Sequence, residues 1–232
     1  GFLFEDNGAL IAERMRAAGA GEECVWLPGK VRTNLKVFDR KNARITEINE
    51  AGAFIGEKER EKMVEKVRDL ARRCDTLVFT GSLPPGCPAD FYKTLIESAK
   101  GCRCVLDAEG EKLTRGMEAR PYLIKPNQYE LELRVGRKLE TLPEIKEAAM
   151  RCAREGIAVV AVSMGGDGAL ITDGETCYYA PVVPVKVRST VGAGDSMVAG
   201  FLHGLSLGED LAGVFRRGVA AGYAKFETFP IW

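Results

Sequence analysis

From Glu57 onward two patterns of apolar positions take turns along the chain. Charged residues interleave with Met63, Val64, Val67 and Leu70 at helical spacing, and DTLVFT at 75–80 then has the continuous apolar character of a buried strand. The alternation recurs: FYKTLIESAK reads as helix, CRCVLDA as strand, YLI as a shorter strand, EIKEAAMRCARE as helix and IAVVAVS as strand. Strands that are apolar nearly throughout, separated by helices, require a parallel sheet covered on both faces. Short strand-like pieces (ALITD, TCYYA, VVPVKV) follow Gly168, and two helices are predicted over about 192–206 and 209–224. Nearer the start, residues 31–38 (VRTNLKVF) and 44–49 (RITEIN) are partly alternating and β-prone around a polar turn, which predicts a hairpin. The fold class is therefore α/β, a mostly parallel sheet flanked by helices, with a small β appendage near the N-terminus. Neither an internal repeat nor a linker interrupts it, so residues 1–232 are expected to form a single domain.

Composition narrows the partners. At 232 residues and 46% hydrophobic content the chain can bury one substantial core. Lys plus Arg equals Asp plus Glu at 33 each, with no long run of one sign, which argues against a nucleic acid or a membrane surface and for a small ligand. The 7 cysteines form no C-x-x-C pair and no zinc spacing, and an odd count suits a reducing compartment, so cytoplasm is the expectation. No apolar stretch approaches the roughly 20 residues that cross a bilayer.

One short stretch carries the candidate chemistry. In STVGAGDSMVAGF (189–201) two glycines and an alanine precede an aspartate where an apolar helical face, Met197, Val198, Phe201, Leu202 and Leu205, begins. The first turn of a helix carries unpaired N–H groups and the positive end of the dipole, so Gly192, Ala193 and Gly194 can bring backbone donors against an anion with no side chain in the way. A carboxylate at Asp195 would repel a phosphate as a mere binding element. It makes sense as acceptor of a proton from an attacking hydroxyl. The same pattern also fits a helix capped by Asp195 behind a tight glycine turn.

Other chemistries fail on spacing. The phosphate-loop pattern G-x-x-x-x-G-K-[ST] is absent, because Gly29-Lys30 has Cys24 in place of the first glycine and Val31 in place of Ser or Thr. The dinucleotide pattern G-x-G-x-x-G fails at Met197. The one histidine, His203, lies about 12 Å along the same helix from Asp195, too far for a hydrolytic pair, and reads as a packing or surface residue. A second turn of small residues, SMGGDGA from Ser163, follows an apolar strand, where open α/β sheets bind ligands. It fits a nucleotide phosphate or base, or a plain connection. KPNQYEL places Asn127 and Glu130 on one helix face, as a holder of hydrated Mg²⁺ or as a simple helix start.

In this order RTNLKV, GSLPPG, KPNQYEL, SMGGDGA and STVGAGDSMVAGF resemble the ribokinase-like, phosphofructokinase-B family of carbohydrate kinases, over about residues 1–222. The resemblance implies a ribokinase-like sheet with a small β lid, of which the hairpin at about 31–49 is part. It implies that Asp195 is the catalytic base and substrate contact, and that the backbone of Gly192, Ala193 and Gly194 forms the anion hole. Asn127 and Glu130 would organise Mg²⁺ and the nucleotide phosphates. Ser163, Met164, Gly165, Gly166, Asp167 and Gly168 would form the nucleotide turn, with Val219 and Tyr223 where adenine is flanked. Arg32 and Ser82 would hold the sugar phosphate, and carbonyls around Ser189 and Val191 would hold K⁺. Two departures qualify it. Family members carry an upstream first core strand, more of the lid, a sugar-binding aspartate and a G-G-K-G-like motif, so the chain reads as a fragment that lacks them; and the tail after GVAAG, with Tyr223, Lys225 and FPIW, departs from the usual small residues. The implied reaction is transfer from MgATP to a phosphorylated ketohexose, taken as fructose 1-phosphate giving fructose 1,6-bisphosphate. Tagatose 6-phosphate or fructose 6-phosphate as substrate, and a non-catalytic binding module, are the alternatives. A homodimer through the lid is a further expectation.

Overall fold

The computed structural model describes residues 1–39, 41–42, 44–182 and 191–226. Its centre is a six-stranded sheet in the order β10-β9-β8-β7-β6-β5. Strands β5 (Thr76–Thr80), β6 (Arg103–Asp107), β7 (Leu123–Ile124) and β8 (Val159–Ser163) run parallel. The hairpin strands β9 (Ala169–Thr172) and β10 (Cys177–Ala180) close one edge antiparallel.

Because side chains alternate across a strand, the apolar runs feed two cores at once. Leu106, Ile124, Val160, Val162 and Leu170 point into one; Val105, Leu123, Val159, Ala161 and Ile171 point into the other. The first core is covered by α2 (Glu57–Ala71), α3 (Phe91–Ser98), α4 (Gly110–Met117), α5 (Gln128–Val135) and α6 (Leu142–Arg154). The second is covered by α7 (Ala193–Ser206) and α8 (Leu211–Phe226). Glycines let these last two helices meet at backbone distance. A Cβ on Gly200 would lie 2.5 Å from the Arg217 carbonyl oxygen, and one on Gly218 would lie 2.0 Å from the Phe201 ring.

Three elements precede these and were not foreseen: β1 (Phe2–Phe4), α1 (Ala9–Ala17) and β2 (Val25–Leu27), with β1 and β2 pairing parallel as a separate two-stranded sheet. The predicted hairpin is present as β3 (Asn34–Asp39) and β4 (Arg44–Asn49). It starts later than its sequence pattern suggested, so Arg32 lies just before the ladder rather than within it. Glu50 holds this junction: its carboxylate accepts from the Thr33 amide at 2.8 Å and its own amide donates to the Thr33 carbonyl at 3.2 Å. The expected strand VVPVKV lies outside the described residues except for Val182, as does Ser189.

Candidate active site

The parallel strands deliver their following turns to the carboxyl end of the sheet, and the candidate residues gather there. Asp107 is the last residue of β6, Lys125 follows β7, and Ser163 ends β8. The KPN and SMGG segments lie side by side, because the Ser163 amide donates to the Pro126 carbonyl at 3.1 Å and Asn127 bridges Ser163. The turn after Ser163 is one turn of 3-10 helix, Gly165–Asp167, ending at Gly168. Gly168 has φ +93°, and a Cβ there would lie 2.1 Å from the Ala180 carbonyl oxygen, so only glycine fits. The Tyr179 hydroxyl donates to the Asp167 carbonyl at 3.0 Å and holds the turn from the edge strand.

At the start of α7 the helix N-cap is Gly192, in the left-handed region at φ +79°, with no side-chain cap. Asp195 is therefore not the cap. Its exposed carboxylate accepts no hydrogen bond from the described residues, and one oxygen lies 4.0 Å from where a Cβ on Gly192 would stand, over the turn. The first bond of the helix is Ser196 N–H to the Gly192 carbonyl, 2.9 Å. The amides of Ala193, Gly194 and Asp195 precede it and have no acceptor among the described residues, which leaves an open ring of donors at a positive dipole end.

Beneath this turn lies a charge pair to which sequence alone assigned no role. Lys125 is buried at 7% exposure, and its Nζ is 3.2 Å from Asp107 Oδ1. The same Nζ lies 3.3 Å from where a Cβ on Gly194 would be, so the ammonium sits against the first turn of α7 and the missing side chain makes room for it. Burial pushes the Asp107 carboxyl up, Lys125 pulls it down, and Asp195 pushes it up again. A lysine opening KPN and an aspartate closing a buried strand were the available signals.

Asn127 and Glu130 form a reciprocal capping box at the start of α5. Asn127 Oδ1 accepts from the Glu130 amide and Glu130 Oε2 accepts from the Asn127 amide, both at 2.8 Å. The plain helix-start alternative is thus realised in the geometry. It does not use up the carboxylate, since one oxygen bond holds the cap while burial, then Asp107 and Glu109, raise the Glu130 pKa against the lowering effects of the Asn127 amide and Lys125. Among the described residues no group of three or more His, Cys, Asp or Glu side chains is placed to hold a metal ion by itself, so Glu130 stands as one half-buried carboxylate within the fields of Asp107, Glu109 and Lys125.

Arg32 and Ser82, 50 residues apart, are brought together: Arg32 Nη2 donates to Ser82 Oγ at 2.6 Å. Both are exposed. They connect to the Asp107–Lys125 pair through the backbone, because the Gly81 amide donates to the Asp107 carbonyl at 3.2 Å. Val219 is partly buried on α8 and packs against the second core. Tyr223, one turn further, donates from its hydroxyl to the Pro181 carbonyl at 3.1 Å. Val191 is partly buried beside the Gly192 turn. His203 is exposed in the last turn of α7, away from Asp195.

Comparison with known proteins decides the family. The profile of the pfkB family carbohydrate kinases matches residues 1–228. The chain belongs to this family. A 1-phosphofructokinase of Rhodobacter capsulatus is 38% identical over 223 residues, 95% of this chain and 71% of that protein. A 1-phosphofructokinase of Bacillus subtilis is 35% identical over 226 residues, 97% of this chain and 73% of that protein. Among solved structures, phosphofructokinase-2 of Escherichia coli in its tetrameric inhibited form superposes with a TM-score of 0.89 at 33% identity, covering 97% of this chain and 75% of the other. The same enzyme in complex with potassium gives 0.90 at 32% identity, covering 98% and 74%. As a pfkB kinase the chain has the ribokinase-like α/β fold and is a phosphotransferase acting on a carbohydrate. Among the described residues no helix is long and apolar enough to cross a membrane.

Proposed function

We propose that the chain transfers the γ-phosphoryl group of ATP to the free primary hydroxyl of fructose 1-phosphate. The single observation that carries the mechanism is the open start of α7: three amides and an Asp195 carboxylate that have no hydrogen-bond partner among the described residues, and the buried Lys125 ammonium, converge on one turn. Curated relatives named 1-phosphofructokinase support the choice of substrate.

Phosphoryl transfer asks little covalent chemistry of a protein. It asks for alignment and for fixed positive charge where negative charge gathers. The backbone of Gly192, Ala193 and Gly194, the anion hole that the resemblance implies, faces the transferred group together with the Asp195 amide. Lys125 adds a full charge, held in place by Asp107. Asp195 accepts the proton that leaves the attacking sugar hydroxyl as the new P–O bond forms. Arg32 holds the phosphate already on the sugar through its guanidinium, with Ser82 as hydroxyl partner, and so sets which hydroxyl reaches Asp195. Asn127, Glu130 and the turn from Ser163 to Gly168 face the nucleotide, with Val219 and Tyr223 toward its base. Magnesium bound with the nucleotide would be held through water by Glu130 and Asn127, and supplies neutralisation of the phosphate oxygens. The potassium complex of the E. coli relative supports binding of a monovalent cation, for which carbonyls around Val191 are the proposed place.

The hairpin of β3 and β4 serves as the lid and, through Leu35, Val37 and Ile48, all more than 45% exposed, as a face for a second copy of the chain. A coupled assay with MgATP and fructose 1-phosphate, fructose 6-phosphate or tagatose 6-phosphate tests the assignment. Highest kcat/KM with fructose 1-phosphate supports it. Preference for either other sugar refutes the substrate, and nucleotide binding with no transfer to any of them refutes the kinase reading of this chain.

A further inference from the structure

The turn that carries Ser82 begins with a glycine at φ +92°, a residue with no side chain to anchor it and wide backbone freedom. Its far end is well pinned. The Pro85 carbonyl accepts from the Ile55 amide at 2.8 Å, the Gly86 carbonyl accepts from Arg60 Nη1 at 2.6 Å, and the Cys87 amide donates back to Pro84 at 3.1 Å. The near end, on which Ser82 depends, is held otherwise. The Gly81 amide donates to the Asp107 carbonyl at 3.2 Å, and the two carbonyls of Thr80 and Gly81 both face one phenol.

That phenol belongs to Tyr92 on α3, which is only 6% exposed and packs edge-on against Phe79 with ring centroids 6.4 Å apart. Its hydroxyl lies 2.9 Å from the Thr80 carbonyl oxygen and 3.0 Å from that of Gly81. A phenol has one proton, so the two carbonyls share it, and a single group fixes two successive peptides at the end of β5. The first of these peptides is also held by its Gly81 amide on Asp107; the second, which joins Gly81 to Ser82, has the phenol as its one hydrogen-bond partner among the described residues. The amide side of Gly81 leads to Asp107 and so to Lys125 and α7, while the next residue is Ser82 with its 2.6 Å contact to Arg32.

We infer that Tyr92 is a positioning residue for the sugar phosphate: its hydroxyl fixes the Thr80 and Gly81 peptides so that Ser82, paired with Arg32, stands in one place relative to Asp107 and the start of α7. This rests on the sugar-phosphate role proposed above for Arg32 and Ser82. Burial pushes the Tyr92 phenol up to about 12, so it remains a hydrogen donor at any pH where the protein works.

The test is Tyr92→Phe, which keeps the ring and its contact with Phe79 and removes only the hydroxyl. The readout is equilibrium binding of fructose 1-phosphate by calorimetry, with MgATP binding and turnover measured beside it. The expected result is about threefold to tenfold weaker fructose 1-phosphate binding, unchanged MgATP binding, and a Tm lower by about 2–4 °C. In a cycle with Ser82→Ala, the tyrosine change should have little further effect, because Ser82 is the group being placed. Unchanged fructose 1-phosphate binding overturns the inference. So does equal weakening of both ligands, or effects of the two substitutions that simply multiply, since either is what a general structural role would give. If the wild-type chain binds fructose 1-phosphate without phosphorylating it, the kinase reading falls and the inference stands on the binding data. If it binds none of the three sugar phosphates, both fall.

Discussion

The two ends of the candidate site are built in opposite ways. The end proposed as catalytic is made of strand ends and helix starts whose partners are internal: Lys125 against Asp107 and Gly194, Asn127 against Glu130, the Ser163 turn against Pro126. The end proposed to hold the sugar phosphate is one exposed contact between a residue beside a hairpin and a residue on a proline turn. Charge stabilisation is worth most where water is excluded and the donors need no rearrangement, which suits the first construction. Substrate has to enter and leave, which suits the second. The contrast teaches that mutations at the two ends should fail differently, through folding and turnover at one and through affinity at the other.

The largest effect should come from breaking the buried pair from its acidic side. Asp107→Ala leaves the Lys125 ammonium buried without its counter-charge, and denaturant unfolding should show a loss of about 3–5 kcal/mol. Lys125→Met should cost less, because the stranded carboxyl already has its pKa raised by burial and can take up a proton. Equal losses, or a larger loss in the methionine variant, would contradict the electrostatic account of this pair.

At the other end Ser82→Ala should raise KM for the sugar phosphate about tenfold. Stability should stay within about 0.5 kcal/mol, as befits an exposed side chain. A drop in kcat with KM unchanged would mean that Ser82 belongs with the chemistry instead.

The smallest effect concerns pH. The Glu130 pKa is raised above its ordinary 4.5, chiefly by burial, so the folded chain holds this proton more tightly than the unfolded chain. Its stabilising contribution is complete below 4.5 and is lost as pH rises through the raised folded value. Glu130→Gln keeps a residue able to complete the capping box and removes that loss. The variant should therefore gain in Tm relative to wild type as pH rises across this window. A difference that shrinks over the same interval would reverse the sign and refute the burial argument.

Much of this was legible in the chain, for reasons that differ by element. The strands from β5 to β8 and the helices α2, α3, α6, α7 and α8 announced themselves because a sheet buried on both faces leaves continuous apolar runs between periodic helices. The opening β1-α1-β2 unit did not, since its two strands have only 3 residues each and α1 buries Ala12 alone. The start of α7 was readable only in part: glycine and alanine before an aspartate fit both an open anion site and a helix capped by Asp195, and Gly192 as the N-cap decides between them. Lys125 and Asp107 were not, although both stand in quoted segments. Their pairing joins two adjacent strand ends 18 positions apart in sequence, and only the sheet order makes them neighbours. Arg32 and Ser82 came from family resemblance, since an isolated exposed arginine and serine state nothing by themselves.

The central claim is that the amides opening α7 take the migrating phosphoryl group within reach of Asp195. Single-turnover phosphoryl transfer by Asp195→Asn, with nucleotide affinity measured on the same sample, tests it most directly. The predicted result is a transfer rate lower by about 10²–10⁴ with nucleotide affinity within about twofold of wild type. A variant that transfers at the wild-type rate would contradict the assignment of Asp195 as the base.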